Sequence, residues 1–290
     1  MRILFSHANF PAQFRRLAPA LAEAGHEVVF LCKQKEWHAP PAEAIRLISY
    51  QPHRAPHPEA LHPYLRRFEE AVLDGQAAHR ACQTLVNEGW QPDWVISHIG
   101  FGSGLYLSDH FPRARRVGCL EWYYRAFGSD VDFLRKGQVE SDRQLRLRTW
   151  NAQILLEAAS CEVLITPTQW QLQQFPPFLQ DRIQVIHEGV DGATLGRLRQ
   201  SAPPLPIALP PGHELVTYVS RGFEEYRGFP QAMQALALLQ QRRPAVHVAI
   251  AGSDIVAYGS QRSDGRSWGE WARQEPGLDP ARTHWLGPLQ

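Results

Sequence analysis

Residues 2–32, RILFSHANFPAQFRRLAPALAEAGHEVVFLC, decide the fold. The apolar runs at 2–6 and 27–32 each predict a buried strand. Between them, apolar residues recur at helical spacing over 12–24, and Gly25 ends this helix. A strand, a helix and a second strand form one β-α-β unit, which is the building block of a parallel sheet.

The same alternation continues along the chain, with further strands predicted at 45–50, 93–99, 116–120, 162–166 and 182–187 and helices at 59–88 and 140–159. Such a series predicts an α/β fold in which helices cover both faces of a parallel sheet. Residues 1–190 are therefore predicted to form a first, Rossmann-like domain.

A proline-rich stretch then interrupts the pattern and predicts a linker over 191–212. The alternation of strands and helices resumes in residues 213–290, with strands predicted at 214–220, 246–251 and 283–286 and helices at 230–242 and 267–274. This second Rossmann-like domain has about half the length of a usual domain of ~150 residues. We therefore expect a second domain that is incomplete, in a chain truncated within it.

Composition excludes several classes of protein. The 30 Lys and Arg against 29 Asp and Glu give a net charge of +1, which offers no general reason to bind nucleic acid. No apolar run approaches the ~18 residues of a membrane span, and the start of the chain does not resemble a secretion signal, so a cytoplasmic protein is expected. Residues 103–148 carry nine basic against six acidic residues, which leaves peripheral membrane contact or an anionic acceptor open.

One loop has the composition of a phosphate site. In S-R-G-F-E-E-Y-R-G-F-P, residues 220–230, Arg221 and Arg227 follow a predicted strand, and Gly228 leads into a helix. Guanidinium groups match phosphate oxygens, and the start of a helix favours an anion. The alternative is that both arginines pair with the neighbouring glutamates on a solvated loop.

A second candidate loop, S-H-I-G-F-G-S-G, follows the strand predicted at 93–99. His98 stands at the carboxyl end of that strand, where ligands bind in open α/β sheets. Gly100 and Gly102 let the backbone approach a ligand, although their spacing differs from that of the dinucleotide-binding fingerprint. The alternative is a structural histidine whose hydrogen bonds are satisfied inside the fold.

Two further strand ends offer groups for an acceptor. Glu121 and Arg125 flank three aromatic residues, a mixture that suits sugar binding, although core packing with one salt bridge explains it equally well. Asn9 lies in the first loop, which lacks the glycines of a nicotinamide-binding site. The sequence holds no P-loop motif and no metal-ligand spacing, so we expect neither a cofactor nor a metal site.

Taken in order, these motifs resemble the family-four glycosyltransferases of the GT-B fold, in a bacterial branch. The resemblance rests on P-T-x-W-Q at 167–171, I-x-V-I-H-x-G-V-D at 183–191, the loop at 220–229 and A-G-S-D at 251–254. The opening N-F-P-A-Q-F-R-R-L-A-P-A-L and the S-H-I-G-F-G-S-G loop match the same branch, so the resemblance covers almost the whole chain.

The resemblance implies two domains that face each other across a cleft, the first binding an acceptor and the second a nucleotide-diphosphate sugar. Arg221 and Arg227 match residues that contact the diphosphate, and His98 matches a residue near the transferred sugar. The implied reaction retains the anomeric configuration and needs no metal. The partners are then the nucleotide sugar and a glycan, lipid-linked or small-molecule acceptor.

Two departures from the family pattern limit this interpretation. The first loop reads Ala8-Asn9-Phe10-Pro11 where many relatives have a glycine pair, and the family's E-x7-E motif does not occur before Gln290. We therefore expect residues 1–290 to be inactive or weakly active. Two other hypotheses remain open: a nucleotide-sugar epimerase or hydrolase of the same fold, and a non-catalytic module that binds a glycan or a protein partner.

Overall fold

The structure is a computed structural model that describes residues 1–35, 44–134, 137–201 and 207–289. It divides into two compact units, Met1–Val190 and Asp191–Gln290. Parts of two predictions lie outside the described residues, namely 202–206 of the linker and 135–136 of the basic stretch.

The first unit alternates strands with helices. Its strands are β1 Arg2–Ser6, β2 Asn9–Phe10, β3 Glu27–Cys32, β4 Gln34–Lys35, β5 Ile45–Ser49, β6 Trp94–Ile99, β7 Arg115–Leu120, β8 Val163–Thr166 and β9 Ile183–Val185. Its α-helices are α1 Leu17–Glu23, α2 Arg66–Asn87, α3 Leu107–His110, α4 Ser141–Ala159, α5 Gln169–Leu172 and α6 Pro177–Gln180.

Within the described residues, seven of these strands form one parallel sheet in the order β5-β3-β1-β6-β7-β8-β9. From β1, the chain first adds β3 and β5 on one side of the sheet, and then adds β6 to β9 on the other side. The order of strands therefore reverses between β1 and β6. The loops that leave these two strands therefore diverge to opposite faces and leave a crevice at their carboxyl ends. The predicted α/β fold with a parallel sheet is confirmed.

Helices cover both faces of this sheet. Because successive side chains of a strand point to opposite sides, each strand contributes residues to both apolar interfaces. Leu4 packs in one apolar cluster with Leu85 of α2, and its neighbour Phe5 packs in another with Ala18 of α1. All four side chains are at most marginally exposed. This burial on two sides explains why the strands read as continuous apolar runs.

Two helices begin later than the sequence predicts. The helix expected over 59–88 begins at Arg66, because Pro58 and Pro63 each head a short 3-10 turn before it. The helix expected over 12–24 is preceded by a 3-10 turn, Ala12–Phe14, and becomes α-helical at Leu17. No helix in the described part of the chain is both long and apolar enough to cross a membrane.

The second unit repeats the parallel α/β arrangement. Its elements are α7 Gly192–Ser201, β10 Glu214–Gly222, α8 Phe229–Arg242, β11 Val246–Ser253, α9 Trp268–Gln274 and β12 Thr283–Gly287. The three strands pair in parallel in the order β10-β11-β12 among the described residues. Helix α7 lies in the segment predicted as a linker. The prolines of that segment follow the helix, so they do not interrupt it.

Gly102 lies in close contact with helix α2 of the first unit. A Cβ atom at Gly102 would lie 2.3 Å from the Cα atom of Ala71 in α2, and the φ angle of Gly102 is +83°. Gly25 has the same φ angle but open space around its Cβ position.

We expect Gly102→Ala to lower the free energy of unfolding by about 2–5 kcal/mol, from strain and overpacking together. Gly25→Ala should lower it by about 1–2 kcal/mol, from strain alone. Denaturant unfolding of the two variants measures the difference. Equal losses would show that α2 yields to the added methyl group.

Candidate functional site

A cavity of about 780 Å³ opens in the first unit where β6, β7 and β8 end. His98 of β6 and Glu121, which directly follows β7, line it together with Gln13 from the loop after β1. The structure therefore places two of the predicted site residues in one cavity at the carboxyl edge of the sheet.

His98 and Glu121 form the polar centre of this cavity. The Nε2 atom of His98 lies 3.2 Å from Oε2 of Glu121, and Gln13 Nε2 donates to the same oxygen at 3.3 Å. The His98 hydrogen bond, followed by the nearby imidazoles, lowers the pKa of Glu121 against the opposing effect of burial. Glu121 is therefore an ionised carboxylate at neutral pH, and its side chain is half exposed.

His7 is a site residue that the sequence analysis missed. It follows β1, its Nδ1 atom accepts the backbone N–H of Asn9 at 2.8 Å, and its ring centroid lies 4.8 Å from that of His98. Burial, and then the neighbouring His98, lower the pKa of His7 to about 4. His7 is therefore neutral at pH 7. Its position directly after the first strand was the feature of the sequence that could have identified it.

A buried glutamate holds the glycine loop that follows His98. Glu157 of α4 accepts the backbone N–H groups of Gly100 and Gly104, each at 3.0 Å, while Gln153 donates to the carbonyl oxygen of Gly100. Burial raises the pKa of Glu157 to about 7, although the two N–H groups act in the opposite direction. In the sequence, the only indication of this loop anchor, formed by Glu157 and Gln153, was that two polar residues fall on the buried side of a helix.

The other predicted acceptor residues occupy different places. Gly102 packs against the backbone of α2, so its need for glycine is explained by packing. Between the two predicted glycines, Phe101 contacts the rings of His7 and His98, with centroids 4.8 and 5.2 Å away. Arg125 is exposed and donates to the carbonyl oxygen of Gln173 at 3.2 Å, outside the His98–Glu121 pair.

In the second unit, Arg221 and Arg227 meet at one aromatic ring. Their guanidinium carbons lie 5.3 and 5.4 Å from the ring centroid of Tyr258, and both arginines are exposed. Gly228 adopts a φ angle of +64° and caps the start of α8 directly after Arg227. The sequence predicted the two arginines and the glycine, but it gave no sign of Tyr258.

Glu224 positions the loop that carries Tyr258. Its fully buried carboxylate accepts the backbone N–H groups of Ala257, Tyr258 and Gly259 at 3.1, 2.8 and 2.8 Å. The other carboxylate oxygen lies 3.6 Å from Nε of Arg227.

The alternative in which both arginines pair with glutamates therefore applies only to Arg227. Arg221 makes no ion pair within the described parts of the chain. No cluster of three or more possible metal ligands occurs in those parts either.

Glu157→Gln tests the loop anchor. The folded state binds a proton at Glu157 up to about pH 7, whereas the ordinary value for glutamate is 4.5. The contribution of this group to the free energy of unfolding therefore declines as pH rises between these two values, by about 3 kcal/mol at most. Glutamine does not titrate, so the variant should lose this decline.

Denaturant unfolding at several pH values measures this slope. Glu23→Gln, at an exposed position of α1, is the matched control and should keep the slope of the unmodified protein. An unchanged slope in Glu157→Gln would contradict the assignment of a buried, titrating carboxylate.

Solved structures share this fold across almost the whole chain. The chain resembles the catalytic domain of starch synthase IV from Arabidopsis thaliana with a TM-score of 0.57 at 12% identity, covering 100% of this chain and 74% of the other. For the trehalose-6-phosphate synthase OtsA the TM-score is 0.56 at 12% identity, with coverage of 100% and 74%.

For WaaG, a glycosyltransferase involved in lipopolysaccharide biosynthesis, the TM-score is 0.53 at 16% identity, with coverage of 99% and 70%. These likenesses confirm the predicted fold class, α/β and GT-B-like. Among curated proteins, none matches the chain in sequence.

A sequence profile described as the glycosyl transferase family 4 group matches residues 24–195. The match spans more than half of the chain and includes His98, Glu121 and the Glu157 anchor. The resemblance inferred from the sequence motifs is thereby confirmed. The chain belongs to the glycosyl transferase family 4 group, and it is a glycosyltransferase.

Proposed function

We propose that this chain transfers a sugar from a nucleotide-diphosphate sugar to an acceptor, with retention of anomeric configuration and without a metal ion. One observation carries the proposal: Arg221 and Arg227 lie at the same exposed ring, and Arg221 has no carboxylate partner within the described residues. Two exposed cations held at one place suit a ligand with two adjacent negative groups.

The second unit binds the diphosphate in this proposal. When the bond between the anomeric carbon and the diphosphate oxygen breaks, negative charge develops on the diphosphate. Arg221 and Arg227 stabilise that charge, because guanidinium groups donate in pairs to phosphate oxygens and remain protonated. The start of α8 beyond Gly228 adds backbone N–H groups that favour an anion. Positioned cations of this kind replace the charge stabilisation that a divalent metal supplies elsewhere.

The first unit serves the acceptor and the transferred sugar. A new bond forms between an acceptor oxygen and the anomeric carbon, and the acceptor proton passes to the departing diphosphate oxygen. Glu121 is ionised, half exposed and lines the cavity, so it accepts a hydrogen bond from an acceptor hydroxyl. His98 holds the Glu121 carboxylate in place and lies at the reacting centre.

Nucleotide binding by the purified chain tests the diphosphate site. We expect UDP, ADP, GDP or TDP, or their glucose conjugates, to raise the melting temperature saturably in the presence of EDTA. At 100 times the Kd, the gain in free energy of unfolding is about 2.7 kcal/mol, which corresponds to a rise of roughly 5–11 °C in melting temperature. Arg221→Ala should abolish the shift.

Arg242→Ala, an exposed arginine of α8 in the same unit, is the matched control and should keep the shift. No saturable shift with any of these nucleotides, or an equal shift in Arg221→Ala, would overturn the diphosphate assignment. A shift that disappears with EDTA would overturn the metal-independent part of the proposal.

Glu121→Gln separates the acceptor role from donor binding. The amide keeps the shape of the side chain but loses its charge, so we expect nucleotide binding to stay unchanged and transfer to fall at least tenfold. Product analysis by NMR identifies the anomeric configuration of the new bond. Sugar consumed at the same rate without an acceptor would favour an epimerase or hydrolase instead.

A further inference from the structure

Two tryptophans meet beside the cavity of the first unit. Trp122 directly follows Glu121, and Trp170 lies on α5, with ring centroids 5.6 Å apart and planes inclined by 44°. Trp122 is half-buried, whereas Trp170 is 48% exposed. A large aromatic side chain with half of its surface in solvent is a common feature of binding surfaces.

Two hydrogen-bonded connections fix the tryptophan pair. Gln171 Nε2 donates to the carbonyl oxygen of Glu121 at 2.9 Å, and Thr168 Oγ1 donates to Gln171 Oε1 at 2.8 Å. Arg125 Nη1 donates to the carbonyl oxygen of Gln173 at 3.2 Å. Helix α5 is therefore fastened at two points to the segment that carries Trp122. The backbone that carries Trp170 is thereby held in place, which lowers the entropy that a ligand would lose on binding.

The polar groups around the pair indicate the class of ligand. Gln169 and Gln173, which precede and follow Trp170 in the sequence, are exposed, and Gln13 and Glu121 line the cavity. A pyranose ring has an apolar face of C–H groups and a rim of hydroxyl groups. The apolar face fits an indole, and the rim fits amide and carboxylate groups. An acyl chain could not form hydrogen bonds with these polar groups.

We propose that Trp122 and Trp170 form a carbohydrate-binding platform, and that the acceptor is a glycan whose pyranose ring stacks on it. The designation of that glycan as the acceptor rests on the proposed function, whereas glycan binding itself does not. Trp122 directly follows Glu121 in the chain, so in this proposal a neighbouring ring of the bound glycan reaches the His98–Glu121 pair.

Titration with maltotetraose, chitotetraose and α-mannotetraose tests the platform. Each of the nine tryptophans gives one indole N–H signal in a nitrogen-proton NMR spectrum, and single substitutions assign those of Trp122 and Trp170. We expect at least one tetrasaccharide to shift these two signals saturably. Trp170→Ala should weaken binding about tenfold, which corresponds to about 1.4 kcal/mol.

Phe133→Ala, which removes another exposed aromatic of the first unit, is the matched control and should leave the affinity unchanged. Gln171→Ala keeps both rings but unfastens α5, so it should also weaken binding, whereas Trp170→Phe should retain part of the affinity. A folded Trp170→Ala variant with normal affinity, or no shift with all three sugars, would overturn the platform. So would binding to phosphatidylglycerol vesicles that depends on Trp170 while the sugars have no effect.

Nucleotide titrations distinguish failure of the platform from failure of the proposed function. Sugar binding in a protein that binds no nucleotide would support the platform and overturn the diphosphate assignment. Nucleotide binding without any effect of the tetrasaccharides would support the diphosphate assignment and overturn the platform.

Discussion

A buried carboxylate that accepts backbone N–H groups fixes a site loop in each unit, and the placement of the candidate site residues depends on it. In the first unit, Glu157 holds both ends of the loop from Gly100 to Gly104. In the second unit, Glu224 holds three successive N–H groups around Tyr258. A hydrogen bond to an ionised group contributes about 1.5–3 kcal/mol. At Glu157, burial outweighs the two hydrogen bonds and raises the pKa of the carboxyl group to about 7. Both loops are thus rigid before any ligand arrives.

The two units use charge in opposite ways. In the first, the ionised Glu121 is stabilised by hydrogen bonds from Gln13 and His98, and the nearby His7 is kept neutral by burial. In the second, Arg221 and Arg227 remain exposed and positive around one ring. A surface that gathers two like charges is electrostatically unfavourable by itself, so it gains most from an anionic ligand.

The sequence was sufficient to predict where the strands end, because apolar runs mark buried parallel strands and ligands bind at their carboxyl ends. His98, Glu121 and Arg221 were found in this way. The partners of these residues were not found. Glu157 lies 57 residues from Gly100, and the contact between Arg221 and Tyr258 depends on how a loop folds back. Helix α7 was missed because nearby prolines suggested an irregular segment.

The reversal of strand order between β1 and β6 has an evolutionary consequence. His7 follows β1 and His98 lies near the end of β6, so the two histidines meet where neighbouring strands belong to opposite windings of the chain. Each loop there begins at a strand that is paired on both sides, and the two loops touch through the rings of His7 and Phe101. Mutations that lengthen one loop, or change its side chains away from these rings, therefore leave the strand register intact. Descendants of this fold can diverge in what they glycosylate while inheriting the same scaffold.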